Sequence, residues 1–342
     1  MESGKTNIVR LFRLREWLLT KLCFQLAFAL VLVYYFDRGY LEFIEISGIF
    51  LLYLLPAGAF AYLINDYCDR GVDFLAGKMN ACQKLRPEFA LLLIVLSGTA
   101  AFSPLLLLDE YPSYYLGLIV AQYAMIIAYS APSIRLKTTY AGIFADALFS
   151  FLFPALIVVL ISLDVMSRHF QMTTPGYVFI LWLILAGLRS IISHQLSDFV
   201  NDKRALQKTM VVRTGKTVAE KIRLAIFICE LIVMLVFFAL LPEELYWWPV
   251  AAAAMFVLSM LLAGRKFVWS DLDGFLESLN HGLNFHLLNG AAILLLCDDQ
   301  FLFGLIPLTY LLLRFHAKFA AYLSVTGKWI YYKWQGLIRR LR

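Results

Sequence analysis

Residues 47–73, SGIFLLYLLPAGAFAYLINDYCDRGVD, decide how the chain is read. The run 47–65 carries no charge and is close to the ~20 residues that a helix needs to cross a bilayer. Three aspartates follow at once: Asp66, Asp69 and Asp73. If the helix continues past the apolar run, they fall at i, i+3 and i+7 on one face. Like charges on one face repel, and each charge held at bilayer depth costs about 2.5–3.5 kcal/mol on insertion scales. The arrangement predicts a cation between them.

Working outward, the apolar run proves to be one of many. The chain has 342 residues, 61% of them hydrophobic and 16% charged, with a mean hydropathy of +0.75. A soluble domain carries about 25% charged residues. Spans are predicted at 17–36, 47–65, 89–108, 114–131, 141–163, 175–194, 222–241, 246–263, 282–297 and 301–323, taking roughly 20 residues per crossing. The ninth run is short. The expected fold is an all-α polytopic transmembrane helix bundle of nine or ten spans, with a central cavity open toward the cytoplasmic side. No low-complexity linker divides the chain, so 1–342 reads as a single domain.

Charge placement sets the orientation, because short cytoplasmic loops are rich in Lys and Arg. One set of loops holds Arg70, Lys78, Lys84, Arg86, Arg135, Lys137, Lys203, Arg204, Lys208, Arg213, Arg265 and Lys266. The opposite set holds Arg38 and Arg168 among many acids. The basic N-terminus, 1–16, lacks a small-residue cleavage site and reads as a retained cytoplasmic anchor. The absence of a clear transit peptide favours a bacterial plasma membrane. The tail, 324–342, mixes Trp329, Tyr331, Tyr332 and Trp334 with basic residues, which suits a surface of anionic lipid. The net charge of +6 is accounted for by these membrane-flanking loops, and nucleic acid is not the expected partner. The five cysteines, Cys23, Cys68, Cys82, Cys229 and Cys297, are odd in number and form no C-x-x-C pair, which argues against disulfides and against zinc or iron–sulfur sites.

A second acidic cluster closes the sixth span: His194-Gln195-Leu196-Ser197-Asp198-Phe199-Val200-Asn201-Asp202. Asp198 and Asp202 lie at i and i+4, again one face. Both clusters fall at predicted cytoplasmic helix ends. Two acidic faces opposed across a bundle would make an all-oxygen site. Such a site suits Mg²⁺, which keeps several waters and bridges one or two carboxylates to substrate phosphates. A single aspartate at a helix end is usually a cap or a solvated loop residue; two clusters on matched sides are not so explained. Other polar residues within apolar stretches are Asp146, Arg189, Gln195, Glu230 and Asn289. Asp146 and His194 are the best functional candidates among the polar residues of these spans, with a structural Arg189–Asp198 pair as the alternative use of that stretch. Asp271, Asp273 and Glu277 form a further acidic group, read as a solvated turn.

The pattern N-D-x-x-D-x-x-x-D at Asn65 to Asp73, with D-x-x-x-D at Asp198 to Asp202, resembles the UbiA superfamily of intramembrane prenyltransferases. Tyr129 to Lys137, YSAPSIRLK, is similar to that family's tyrosine-to-lysine loop, whose basic residue contacts diphosphate. Lys78 stands where many members have a diphosphate-binding arginine. After Asp202, Leu206 replaces the family's usual glycine, while Thr209 remains. The resemblance implies that Asn65, Asp66, Asp69, Asp73, Asp198 and Asp202 hold Mg²⁺. It implies further that Asn65, Lys78, Tyr129, Arg135, Lys137, Lys203 and Lys208 hold the substrate diphosphate. The reaction so implied moves an isoprenyl group from a prenyl diphosphate to a lipophilic or aromatic acceptor. Terpene cyclisation and phosphoribosyl-diphosphate chemistry share the same metal–diphosphate logic. A cation transporter is the alternative of another class, but it should show an ionisable path to the outer face. The outer halves of the spans are nearly uncharged.

Overall fold

The computed structural model of the chain describes residues 11–36, 38–75, 77, 80–169, 174–240 and 243. All of these except Glu243 belong to one compact unit, Met1–Leu241. The predicted spans at 246–263, 282–297 and 301–323, the tail, Lys78 and the acidic group at 271–277 lie outside the described residues.

Among the described residues every regular element is helical. The long helices are α1 (Leu14–Tyr35) and α2 (Tyr40–Cys68), then, after a short α3 (Arg70–Leu75), α4 (Pro87–Ala100). They continue with α5 (Pro112–Ser130), α6 (Ala141–Val165) and α7 (Thr174–Ser197). Two short helices, α8 (Phe199–Arg204) and α9 (Met210–Thr214), precede α10 (Lys216–Ala239). The seven long helices stand at the first seven predicted spans. Six of them, α2, α4, α5, α6, α7 and α10, are long and apolar enough to cross a membrane. Pro87 and Pro112 each open a helix, where a missing N–H and a fixed φ cost nothing.

Packing follows from which faces are apolar on both sides. Tyr53, Tyr115, Trp182 and Ile161 are fully enclosed. Leu91, Leu92, Val95 and Leu96 on α4, and Ile232, Leu235 and Val236 on α10, point outward. Large outward apolar faces of this kind suit lipid and not water. Helix α2 is the hub of the first half, packing against α1, α4, α5 and α6. Helix α7 packs against α10 and against the first half of α6. Thus α6 touches both helices that carry aspartate motifs.

Helix α6 is not uniform. Residues Leu148–Leu152 form a π-turn, and Pro154 follows it. Proline has no N–H and its ring crowds the carbonyl four residues back, so the helix widens there. The Phe153 N–H donates to the Leu148 carbonyl, which leaves the Phe149 carbonyl without its α-helical donor. Gln122 of α5 supplies one through Nε2 at 2.8 Å, and its Oε1 accepts from the Tyr53 hydroxyl of α2 at 2.9 Å. Three spans are pinned together by one buried amide.

At the end of the bundle away from the aspartate motifs, Asp164 is buried at the C-terminus of α6. Its carboxylate accepts the backbone N–H groups of Asp109, Glu110 and Tyr111 at 3.1, 2.8 and 3.0 Å. Tyr111 in turn donates its hydroxyl to the Arg168 carbonyl at 2.7 Å. Between α7 and α10, Arg189 gives Nη2 to Glu230 Oε1 at 3.0 Å and Nε to Oε2, with both residues buried. The alternative Arg189–Asp198 pairing is thereby corrected. Nine residues of helix separate those two by about 13 Å of rise, beyond what an arginine can reach along its own helix.

Candidate functional site

Both aspartate motifs are built on the same corner. Helix α2 stops at Cys68 and α3 begins at Arg70, with Asp69 between them at φ −93°, ψ 0°. Helix α7 stops at Ser197 and α8 begins at Phe199, with Asp198 between them at φ −90°, ψ 0°. The chain bends at each without unravelling. The Asp69 N–H donates to the Asn65 carbonyl at 2.9 Å, and the Asp73 N–H to the Asp69 carbonyl at 2.8 Å. The Asp198 N–H donates to His194 at 3.1 Å, and the Asp202 N–H to Asp198 at 2.8 Å. The turn that follows also repeats. Gly77 and Leu206, each four residues past the last aspartate, take left-handed φ values of 71° and 54°.

The last aspartate of each motif is then held by a residue seven positions on. Asn80 Nδ2 donates to Asp73 Oδ2 at 2.7 Å and to the Asp66 carbonyl at 3.0 Å. Thr209 Oγ1 donates to Asp202 Oδ2 at 3.2 Å. The offset is constant along the chain: Asp69 with Asp198, Asp73 with Asp202, Gly77 with Leu206, Asn80 with Thr209. A short helical turn and then a long helix complete each copy. Asn80 had no role in the sequence reading, although its spacing from Asp73 equals that of Thr209 from Asp202.

The cations are side chains. Asp66 and Asp69 are 3% and 6% exposed. Arg135 Nη2 lies 2.9 Å from Asp69 Oδ1, and Lys137 Nζ bonds Asp69 Oδ2. Lys137 also donates to Asn65 Oδ1 at 3.0 Å. Arg13 Nη1 stands 3.5 Å from Asp66 Oδ1. The repulsion that seemed to call for a metal is therefore relieved by arginine and lysine already. A buried carboxylate pair left without such partners would be strongly destabilising.

Lys137 sits in a 3₁₀ turn, Leu136–Thr138, between α5 and α6. Burial lowers its pKa from the ordinary lysine value, and the Asp69 carboxylate opposes that shift. Gly142 allows the turn to lie on the first residues of α6. A Cβ there would stand 2.4 Å from the Leu136 carbonyl oxygen and 2.7 Å from Lys137 Cα. Arg135 itself holds a left-handed φ of 47°, which costs an L-residue about 1–2 kcal/mol. Strain of that kind persists where the surroundings dictate it, often at functional sites.

Tyr129 lies at the end of α5. Asp146, Asp69 and Asp202 are among the charged groups near its hydroxyl. Its ring meets Phe149 edge-on at 5.3 Å. Asp146 accepts from Ser150 Oγ at 3.0 Å. From the second corner, Arg213 Nε donates to the Thr138 carbonyl at 3.1 Å and to the Lys208 carbonyl at 2.9 Å. The Lys137 turn is thus clasped by the segment that follows motif two.

Asn65, Asp69, Arg135 and Lys137 are brought together by direct contacts, and Asp66 meets Arg13 instead. His194 is exposed and faces Asp198 at 3.8 Å. Lys203 and Lys208 are exposed and, among the described residues, form no ion pair with the motif aspartates. No three His, Cys, Asp or Glu residues among those described converge into a ready-made metal cage. The donors present are still hard oxygens, spread over two helix corners. That set fits Mg²⁺ shared with a substrate phosphate, which needs few protein ligands, and does not fit a closed structural site.

The sequence profile of the UbiA prenyltransferase family matches residues 25–274. No curated protein sequence matches the chain significantly. Among solved structures, a UbiA homologue from Archaeoglobus fulgidus bound to DMAPP and Mg²⁺ is similar, with 18% identity and a TM-score of 0.54. The match covers 82% of this chain and 98% of that one. A UbiA homologue from the same organism bound to GPP and Mg²⁺ matches with the same coverage and TM-score. A structure of digeranylgeranylglyceryl phosphate synthase matches at 15% identity and a TM-score of 0.54, over 83% of this chain and 96% of that one. At these identities the likeness is one of fold.

Proposed function

The chain belongs to the UbiA prenyltransferase family and is an integral membrane enzyme that transfers prenyl groups, and from that premise we propose that it moves an isoprenyl group from a prenyl diphosphate to a lipophilic or aromatic acceptor. One observation carries the reading: the Lys137 turn bonds Asn65 and Asp69 of the first aspartate corner and is held by Arg213 from the segment that follows the second. The DMAPP, GPP and Mg²⁺ of the Archaeoglobus fulgidus structures are the ligand classes this site would take.

In this reading Asp66, Asp69 and Asp73 of the first corner, with Asn65, and Asp198 and Asp202 of the second hold Mg²⁺. When bound there, Mg²⁺ supplies Lewis-acid stabilisation of the charge that develops on the departing diphosphate. Arg135 and Lys137 bind Asp69. A diphosphate brings about three negative charges of its own, and its oxygens compete for the same two cations through charge-assisted hydrogen bonds. Tyr129 donates its hydroxyl to that diphosphate, and the exposed Lys203 and Lys208 are further cations for it. The apolar interior keeps water from the allylic cation, and the aromatic faces of Tyr129 and Phe149 offer it cation–π contact. Asp146 and His194 orient the acceptor. The Lys/Arg bias of the loops supports a mouth that faces the cytoplasm, in a single domain of nine or ten spans.

Purified protein in lipid nanodiscs, given labelled prenyl diphosphate, Mg²⁺ and lipophilic phenols or quinols, tests this. Diphosphate release should need both Mg²⁺ and acceptor, and Asp69→Asn should abolish it. Cyclic hydrocarbon formed without acceptor would make the enzyme a cyclase. Failure to consume any prenyl diphosphate would sink the proposal.

A further inference from the structure

Arg13 lies just before α1, in a segment that no motif covers, yet it reaches the first aspartate. Its guanidinium stands 3.5 Å from Asp66 Oδ1 and 5.1 Å from the centroid of the Tyr62 ring. Tyr62 is one helical turn before Asp66. The backbone of Arg13 is left-handed, with φ 50°, as is that of Arg135, the other arginine on motif one. Two of the four described non-glycine residues with positive φ are thus cations on its aspartates.

The segment is firmly seated. Leu11 and Trp17 are buried. The Trp17 indole N–H donates to the Phe12 carbonyl at 2.9 Å, and its ring stacks on Tyr62 at 6.0 Å. Gly58 makes room for that ring, since a Cβ would come within 2.2 Å of Trp17 Cη2. The Arg13 side chain is 25% exposed and the Asp66 side chain 5%. The guanidinium is thus the more exposed partner of the pair and the carboxylate the more enclosed.

We infer that Arg13 is a removable counter-ion of Asp66: it keeps divalent metal off the first aspartate until a diphosphate arrives to take the guanidinium over. The inference rests on the diphosphate reading above. Its physical basis is competition for Asp66 Oδ1, the oxygen that the guanidinium faces at 3.5 Å. Metal and diphosphate then bind cooperatively, because each removes an obstacle to the other.

The test measures binding of Mg²⁺ alone to the detergent-purified full chain by calorimetry, with and without inorganic diphosphate. Arg13→Gln removes the charge but keeps a planar group over Tyr62. It should bind Mg²⁺ on the order of five- to tenfold tighter without diphosphate, and the gain from adding diphosphate should shrink by the same factor. Arg13→Lys should restore the wild-type behaviour. If Arg13→Gln does not fold, Tyr62→Leu, which unseats the guanidinium, should shift Mg²⁺ affinity in the same direction by a smaller factor. A folded Arg13→Gln protein with wild-type Mg²⁺ affinity overturns the latch and leaves the prenyl-transfer reading intact. A wild-type protein that binds no Mg²⁺ even with diphosphate overturns both.

Discussion

Replacing Gly142 by alanine tests the site without touching a charged group. The new methyl would stand 2.4 Å from the Leu136 carbonyl oxygen and 2.7 Å from Lys137 Cα. Both are backbone atoms and cannot turn aside as a side chain would. Restoring ordinary contact requires the Leu136–Thr138 turn to lift by about 1 Å, and displacements of that size at a reacting centre cost on the order of 10²-fold in rate. Lys137 would be drawn away from Asp69 and Asn65, with which it bonds now. Overpacking should also cost about 1–3 kcal/mol of stability. The assay is prenyl-diphosphate turnover with Mg²⁺ and acceptor, beside thermal unfolding in detergent. Gly117→Ala is the control, because a Cβ there meets nothing within 4 Å; turnover should be unchanged. If Gly142→Ala turns over at the wild-type rate and melts at the wild-type temperature, then the turn does not set the position of Lys137, or that position does not matter.

Asp164→Ala should destabilise the fold by about 3 kcal/mol, since three backbone donors lose a charged acceptor, while Mg²⁺ affinity of the folded fraction stays unchanged; a loss under ~1 kcal/mol in chemical denaturation would show that water replaces the carboxylate. Leu206→Gly should stabilise by roughly 0.5–1 kcal/mol, because Leu206 is left-handed and 86% exposed, so relief of strain outweighs the added freedom of the unfolded chain; a lower melting temperature would contradict it. Cys82 should resist alkylation at pH 8 in the folded protein and react on unfolding. Burial, and after it Asp66, push its thiol up to about 12, and only the thiolate attacks; quick labelling of native protein would mean the 81–84 turn does not pack as described.

The helices were legible because each is long, apolar and ended by charge. The seven described long helices overlap the first seven predicted runs with ends that differ by up to eight residues, as where α2 starts at 40 against 47 and α4 ends at 100 against 108, because hydropathy does not register capping and bending. The Asp198–Asp202 and Asp66–Asp73 groups were legible as spacings. Asn80 could have been found the same way, by setting the two motifs in register and asking what stands seven residues past each last aspartate. The π-turn was signalled only by Pro154, and its consequence, the capture of the Phe149 carbonyl by Gln122, depends on a neighbour from another span.

The cations beside the first motif were the least legible part of the site. Counting carboxylates along one helix predicted an unmet repulsion and hence a metal, but charge balance is settled in space. Arg135 and Lys137 come from the α5–α6 connection and Arg13 from the segment before α1, none of them near the motif in sequence. These three cations equal the motif-one aspartates in number, so Mg²⁺ is expected to act on the diphosphate rather than to hold the fold. Chelation should then abolish turnover while leaving the melting temperature of the substrate-free protein where it was. A large fall in that temperature with EDTA would show that divalent metal, and not Arg13, Arg135 and Lys137, holds the first corner together.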